Sequence, residues 1–272
     1  MGKINPSAAK GCGILAAVVV GVPLLIVGVV GVKTWVPLQR ASETLVELDR
    51  SLGSDSIYVP TPSGEIPTER MELFLELREM LISACGDYGT VQKGFNAVES
   101  LESKDSGNPH EVGDVAVGLG GAALSITPFL ARYFELRNDV LFTAPMGLQE
   151  YSYIYAVAYH DRLLSDEIQN EIFSNGEALS PEAAMMLRGC LRRQLEAMPG
   201  CADETSGWEA VETELNSMEV DPSRLLWQDG LPDAVLEGVA SYRKRLDQVF
   251  CGATAGLEME QDARRALWIA IE

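Results

Sequence analysis

Histidine is almost missing from this chain: two in 272 residues, His110 and His160, fifty positions apart. With no H-x-x-x-H and no C-x-x-C, the ligand spacing of a zinc site is absent, and no metal or cofactor is expected. Nucleophile patterns are missing too. No G-x-S-x-G elbow occurs, and none of Cys85, Cys190, Cys201 and Cys251 has a histidine near it in sequence, so no catalytic residue is assigned. Period-two alternation is nowhere sustained, which excludes a sheet of any size. Basic residues are scarce as well, 21 Lys and Arg against 40 Asp and Glu. Residues 51–272 alone hold 16 basic and 37 acidic groups, a net charge near −21. Such a surface repels phosphate backbones and anionic headgroups, so nucleic acid is not an expected partner, nor is bilayer contact beyond an anchor. Carboxylates are so numerous that any pair picked as a hydrolase couple carries no information.

What the chain does have is a long apolar run. Between Lys10 and Lys33 lie 22 uncharged residues, Gly11 to Val32. As a helix rising 1.5 Å per residue they cover about 33 Å, enough for a hydrocarbon core of roughly 30 Å, whereas a secretory apolar region usually has about 7 to 15 residues. The organisation expected is a short cytoplasmic tail (1–10), a transmembrane anchor (11–35), a juxtamembrane helix with a Pro-rich linker (36–67) and an acidic helical domain (68–272). Lys3, Lys10 and the amino terminus precede the run while Lys33 and Arg40 follow it, a thin margin that places the short tail inside and the bulk outside the cytoplasm. Cleavage after Gly31, with Val29 at −3, is the competing outcome. Trp35 suits the interfacial belt, and Gly13, Ala17, Gly21 and Gly28 share one helix face that would permit a homodimer. Cys12 stands ahead of the apolar core that begins at Ile14 and is not a lipoprotein cysteine.

Beyond residue 37 the pattern is helical, and an all-α bundle behind one membrane helix is the expected fold. Leu38 to Leu52 reads as a short helix closed by Gly53; the three prolines and Gly64 that follow read as a linker or a loop laid over the surface. From Thr68 an apolar seam runs through Phe74, Leu77, Leu81, Ala84, Tyr88, Val91, Phe95 and Val98, with Glu69, Glu72, Glu76 and Glu79 opposite. Gly86 marks a place for a kink. Ser180-Pro181-Glu182 caps a helix with a stripe of Ala184, Leu187, Leu191, Leu195 and Met198, stopped by Pro199-Gly200. Pro232 opens another, with Val235, Val239, Tyr242, Leu246 and Val249, and Leu257 to Ile271 is helical in composition.

Val115 to Ala131 is uncharged over 17 residues. Its minimal length, its glycines and Ser125 and Thr127 point to a buried central helix rather than a second span. Within it Gly118, Gly120 and Ala123 satisfy G-x-G-x-x-[GA] after Val115–Val117, with Asp139 beyond. A nucleotide loop needs a strand before it and a helix after it; close helix packing explains the glycines better.

The most site-like piece is the Tyr-rich stretch 148–164. Tyr151 and Tyr155 share a face, and His160, Asp161 and Arg162 form its polar end, a set able to bind a polar ligand or move a proton. The plainer reading is tyrosine rings packed inside with wet hydroxyls, and His160 as a helix C-terminal residue favoured by the dipole. Arg188, Arg192 and Arg193 form the one local basic cluster, which either pairs with the protein's own acidic faces or captures an anion.

Two functions from different classes follow. One is an anchored domain acting through protein contacts at the cell envelope, as scaffold, assembly or accessory factor; the other is an anchored small-molecule-binding domain or enzyme with a pocket near Tyr151, Tyr155, His160 and Asp161. Outside the cytoplasm the four cysteines of the domain form an even set with three pairings. A Cys190–Cys201 bridge would need a sharp reversal, and both Cys201 and Cys251 sit at helix ends. A Cys201–Cys251 disulfide is therefore expected, with Cys85 and Cys190 as buried thiols or a second bridge; four core thiols in a reducing compartment are the alternative.

Overall fold

The structure, a computed structural model, describes residues 36, 39–53, 57–102, 128–165, 168, 179–198 and 205–261, the side chains of 87–102 and 205–206 excepted. Among these residues no strand occurs, and the fold is all-α. The uncharged run, the dimer face Gly13, Ala17, Gly21 and Gly28, the segment 115–127 and Cys201 lie outside them. No helix among the described residues is long and apolar enough to cross a membrane.

Helix α1 (39–52) buries Ala41, Leu45 and Leu48, one position per turn, and ends where Gly53 takes a φ of +57°. Asn138 clasps it from the side, its amide donating to the Ala41 carbonyl (2.8 Å) and to Thr44 Oγ1 (3.0 Å). The proline-rich stretch after it is a loop laid over the domain rather than a free linker. Tyr58 O accepts from Arg193, Thr61 O accepts from Gln194, and Ile66 enters the common core. Its tightest point is Gly64, at φ +74°, where an added Cβ would stand 2.9 Å from Val235 Cγ2.

Helix α2 (Thr68–Glu102) starts at the expected residue. Phe74, Leu77 and Leu81 of the seam are buried, together with Met71, Leu75 and Arg78, while Glu69, Glu76 and Glu79 are exposed. The side chains of Tyr88, Val91, Phe95 and Val98 are outside those described. Among the described residues helix α3 covers 128–143. Its early residues Leu130 and Ala131, the end of the 115–131 segment, are buried.

The middle of the bundle is α4 (Leu148–Ala158), in which every residue from Glu150 to Val157 is buried. It packs against α2, against α6 (Pro181–Ala197) and against α8 (Asp233–Ala240). A helix that is apolar all round is buried all round, and this accounts for the Tyr-rich composition better than a one-sided stripe does. A single turn, α5 (His160–Leu163), follows. At α6 the expected cap is present: Ser180 Oγ accepts from the Ala183 N–H at 3.2 Å with Pro181 beside it. Its stripe Ala184, Leu187 and Leu191 is fully buried, and its partner in the tightest helix pair is α7 (Thr205–Val220).

The helix expected from Pro232 is divided. Ser241 and Tyr242 form a turn between α8 and α9 (Arg243–Val249), and the Tyr242 N–H bonds back only three residues, to Val239 O. The buried stripe Val235, Val239, Leu246 and Val249 passes through the break, so the spacing was right although the helix is not continuous. After α9 the chain does not resume as an α-helix at Leu257; Gly252–Leu257 is a 3-10 turn, and 262–271 lie outside the described residues.

The disulfide differs from expectation. Cys251 is bonded to Cys85, with Cα atoms 5.8 Å apart, not to Cys201, and Cys190 is a free buried thiol. The reason is geometric. α9 packs on α2, so the loop after it passes the middle of that helix, and only one partner of a bridge has to lie in a loop. The bond closes a loop of 166 residues, worth about 5 kcal/mol in the chain-entropy account.

Candidate functional site

Two places where chemistry-bearing side chains converge can be built from these elements: a buried polar centre and a surface cleft on opposite sides of Tyr159. The centre begins with Arg78. It lies on the buried face of α2, one turn after Phe74, and is 1% exposed. A guanidinium in such a place needs partners on every edge. Nη1 donates to Glu258 Oε1 at 2.6 Å and to the Tyr151 hydroxyl at 2.9 Å, and Nη2 to the Val249 carbonyl at 3.1 Å. Its faces stack on Tyr155 and Tyr159, 5.2 and 5.7 Å from the ring centroids. Glu258 completes the set by accepting from Tyr151 (2.6 Å) and Thr254 (2.7 Å). Burial alone would raise the Glu258 carboxyl, but Arg78 beside it and the bonds from Thr254 and Tyr151 outweigh this and hold it below the usual carboxylate range.

A second buried arginine supports the same segment. Arg137 Nη1 donates to the carbonyls of Leu257, Glu258 and Glu260 at 2.9 to 3.1 Å, with the Phe134 ring 4.7 Å away. The stretch 257–260 at the end of the 3-10 turn is thus held by its backbone and by the Glu258 side chain.

Tyr151 and Tyr155 therefore belong to the interior. Both are 0% exposed, and burial pushes both hydroxyls well above the ordinary tyrosine range, so neither gives up a proton at neutral pH. The tyrosines of α4 continue as a column, Tyr151 to Tyr155 to Tyr159 to Phe250, with successive centroids 6.2, 4.9 and 5.0 Å apart. Tyr159, its hydroxyl raised by burial to about 12, closes the column against the surface.

Outside Tyr159 lies the cleft. Val157, Ala158, Val239 and Leu246 line its floor, and Asp161, Arg162, Arg243 and Asp247 its rim. Its volume is about 40 Å³, room for a few water molecules and far below the roughly 300 Å³ at which ligand pockets begin. The rim charges neutralise each other. Arg243 pairs with Asp161 at 2.8 Å and Arg162 with Asp247 at 2.9 Å. Arg243 first, then His160, holds the Asp161 carboxyl below its ordinary value.

His160 is placed differently from the reading as a helix C-terminal residue. α4 ends at Ala158, and the His160 ring turns inward, 7% exposed, with Nε2 donating to the Trp227 carbonyl at 2.7 Å. Nδ1 stands 3.2 Å from Asp161 Oδ1, a hydrogen bond only when the ring carries both protons. Trp227 is itself unusual, a non-glycine at φ +60°. Glu214 holds its other side, accepting the Trp227 N–H at 2.7 Å. Burial raises the Glu214 carboxyl despite that bond and Arg224. The Tyr-rich stretch thus supplies His160 and Asp161 to the cleft and sends Tyr151 and Tyr155 to the buried centre.

The basic cluster is spent on the protein itself. Arg192 pairs with Glu219 at 3.1 Å, Arg193 donates to the Tyr58 carbonyl and to Gln149, and Arg188 Nε to the Ala184 carbonyl. No group of His, Cys, Asp and Glu among the described residues has the arrangement of a metal site. No family model matches the chain, and neither a curated protein nor a solved structure matches it.

Proposed function

We propose that the chain is a membrane-anchored, extracytoplasmic helical domain that works through contact with another protein, as a scaffold, assembly or accessory factor. The observation that carries the second half is the sealing of the Tyr-rich helix. Its hydroxyls and the Arg78–Glu258 pair are enclosed, and the cleft beside them has room only for water. Among the described residues the Tyr-rich region has no ligand-sized opening, which favours a role for the surface. The uncharged run Gly11–Val32 supports the anchor, and the Cys85–Cys251 bond supports the compartment, because disulfides persist where the surroundings are oxidising. The strongly negative surface favours a partner whose facing patch is basic.

Gentle crosslinking in native membranes followed by affinity isolation tests the reading. A protein recovered in stoichiometric amount supports it; repeated recovery of the chain alone counts against it. Topology reporters after Leu52 and at Glu272 test the placement, and both should report the extracytoplasmic side. Opposite sides for the two fusions would overturn the single-span arrangement, and a cytoplasmic signal from both would overturn the orientation.

A further inference from the structure

The segment that follows α9, residues 250–261, has no α-helix to hold it, yet Cys251, Ala255, Glu258 and Glu260 are each at most 2% exposed. It is a strap laid into a seat between α2 and α3. The seat grips it by polar contacts: three carbonyls on Arg137, and the Glu258 carboxylate on Arg78, Tyr151 and Thr254. One covalent bond joins strap to seat, Cys85–Cys251, and Cys85 is only partly buried in the middle of α2.

We propose that this disulfide is a redox latch: closed, it keeps the strap in its seat; reduced by a dithiol, it lets the strap leave while the α4–α6 core stays folded. With the latch closed Cys251 is pinned to α2, and Glu258, seven residues on, stays within about 25 Å of its partner even when its own contacts break, so it rebinds at high effective concentration. With the latch open the strap continues, on its N-terminal side, from α9, a helix of only seven residues. It must then hold a seat in which Arg78 Nε and the Tyr155 hydroxyl have no protein partner. Such groups favour any state in which water reaches them. The core around α4 and α6 shares no residue with the disulfide, and the two helices pack directly on each other.

The chemistry is ordinary exchange. A thiolate of the dithiol attacks Sγ of Cys85, the less buried of the two residues, the S–S bond breaks, and Cys251 leaves with the electron pair and takes a proton. The second thiol then displaces Cys85 from the mixed disulfide. The protein gains two electrons and two protons, and the dithiol becomes a disulfide.

Hydrogen exchange read by mass spectrometry on the full chain in detergent micelles, with and without dithiothreitol, tests this. On reduction the amides of 251–260 should speed up at least about tenfold more than those of 148–158, whose exchange follows only the fall in global stability, and reoxidation should restore both rates. Unchanged exchange in the strap would overturn the latch. So would equal acceleration in 148–158, since the bond would then staple the whole fold. The double variant C85S/C251S should behave as the reduced chain without reductant; should it fail to fold, the reduction series on the natural chain decides alone.

Discussion

Removing one member of the Arg78–Glu258 pair should be far more harmful than removing both. In Arg78→Met the Glu258 carboxylate, 0% exposed, loses its counter-charge at 2.6 Å and keeps neutral donors such as Tyr151 and Thr254. In Glu258→Leu the guanidinium keeps the Tyr151 hydroxyl, a carbonyl and two ring faces. Each single change leaves an uncompensated buried charge and should cost about 3 to 5 kcal/mol. The double change replaces the pair by apolar groups of similar volume and should cost much less than the sum, with a coupling of at least about 2 kcal/mol. Urea unfolding of a fragment beginning at Pro37 measures it; with a slope of about 2 to 3 kcal/mol per molar, each single variant should lower the midpoint by roughly 1 to 2.5 M. Acid adds a second axis. Because the folded Glu258 carboxyl lies below its unfolded value near 4.3, its contribution is whole above about pH 5 and is lost as the pH falls through the folded value. The midpoint of the natural sequence should therefore drop below about pH 5 more steeply than that of Glu258→Leu. Additive single effects, or parallel acid limbs, would refute the reasoning.

Two further outcomes follow from single residues. Gly64→Ala should destabilise the same fragment by about 1 to 3 kcal/mol, from the positive φ and the contact with Val235, while Ala at the open, exposed Gly86 should be neutral or mildly stabilising; equal effects in thermal unfolding would contradict the geometry. Cys190, 0% exposed and raised by burial to about 11, should resist iodoacetamide at neutral pH in the folded protein and react on unfolding, and peptide mapping that finds it alkylated under native conditions would place it elsewhere.

Much of the local structure was legible because local signals govern it. Ser180-Pro181 states a helix start, Gly53 a helix end, and the stripes of α2, α6 and α8–α9 state which face turns inward. The centre was not legible for the same reason. Arg78 and Glu258 are 180 residues apart, and periodicity treats a charge as an outward position. A signal was nevertheless present: Arg78 stands four after Phe74 and three before Leu81, inside the apolar seam, where a cation needs a buried partner. The Tyr-rich stretch likewise has no polar face between Tyr151 and Val157 apart from hydroxyls, which marks the bundle's middle rather than a pocket wall. The disulfide needed tertiary knowledge, since the course of the strap past α2 is set by how α9 packs.

The clasp of Asn138 on α1 has a consequence for how such a domain would meet its partner. From Val32, the end of the uncharged run, to Ala41, the first docked residue, the chain spans at most about 30 Å. A body of some 200 residues is roughly 40 Å across. On the proposed anchor, the tether is thus shorter than the object it holds. The domain would stay close above its membrane rather than sweep a wide volume, and its search for a partner would be a lateral one, over an area instead of through a volume. A membrane-bound neighbour would meet it at each crossing of paths, while a freely diffusing one would have to come down to the bilayer to be met.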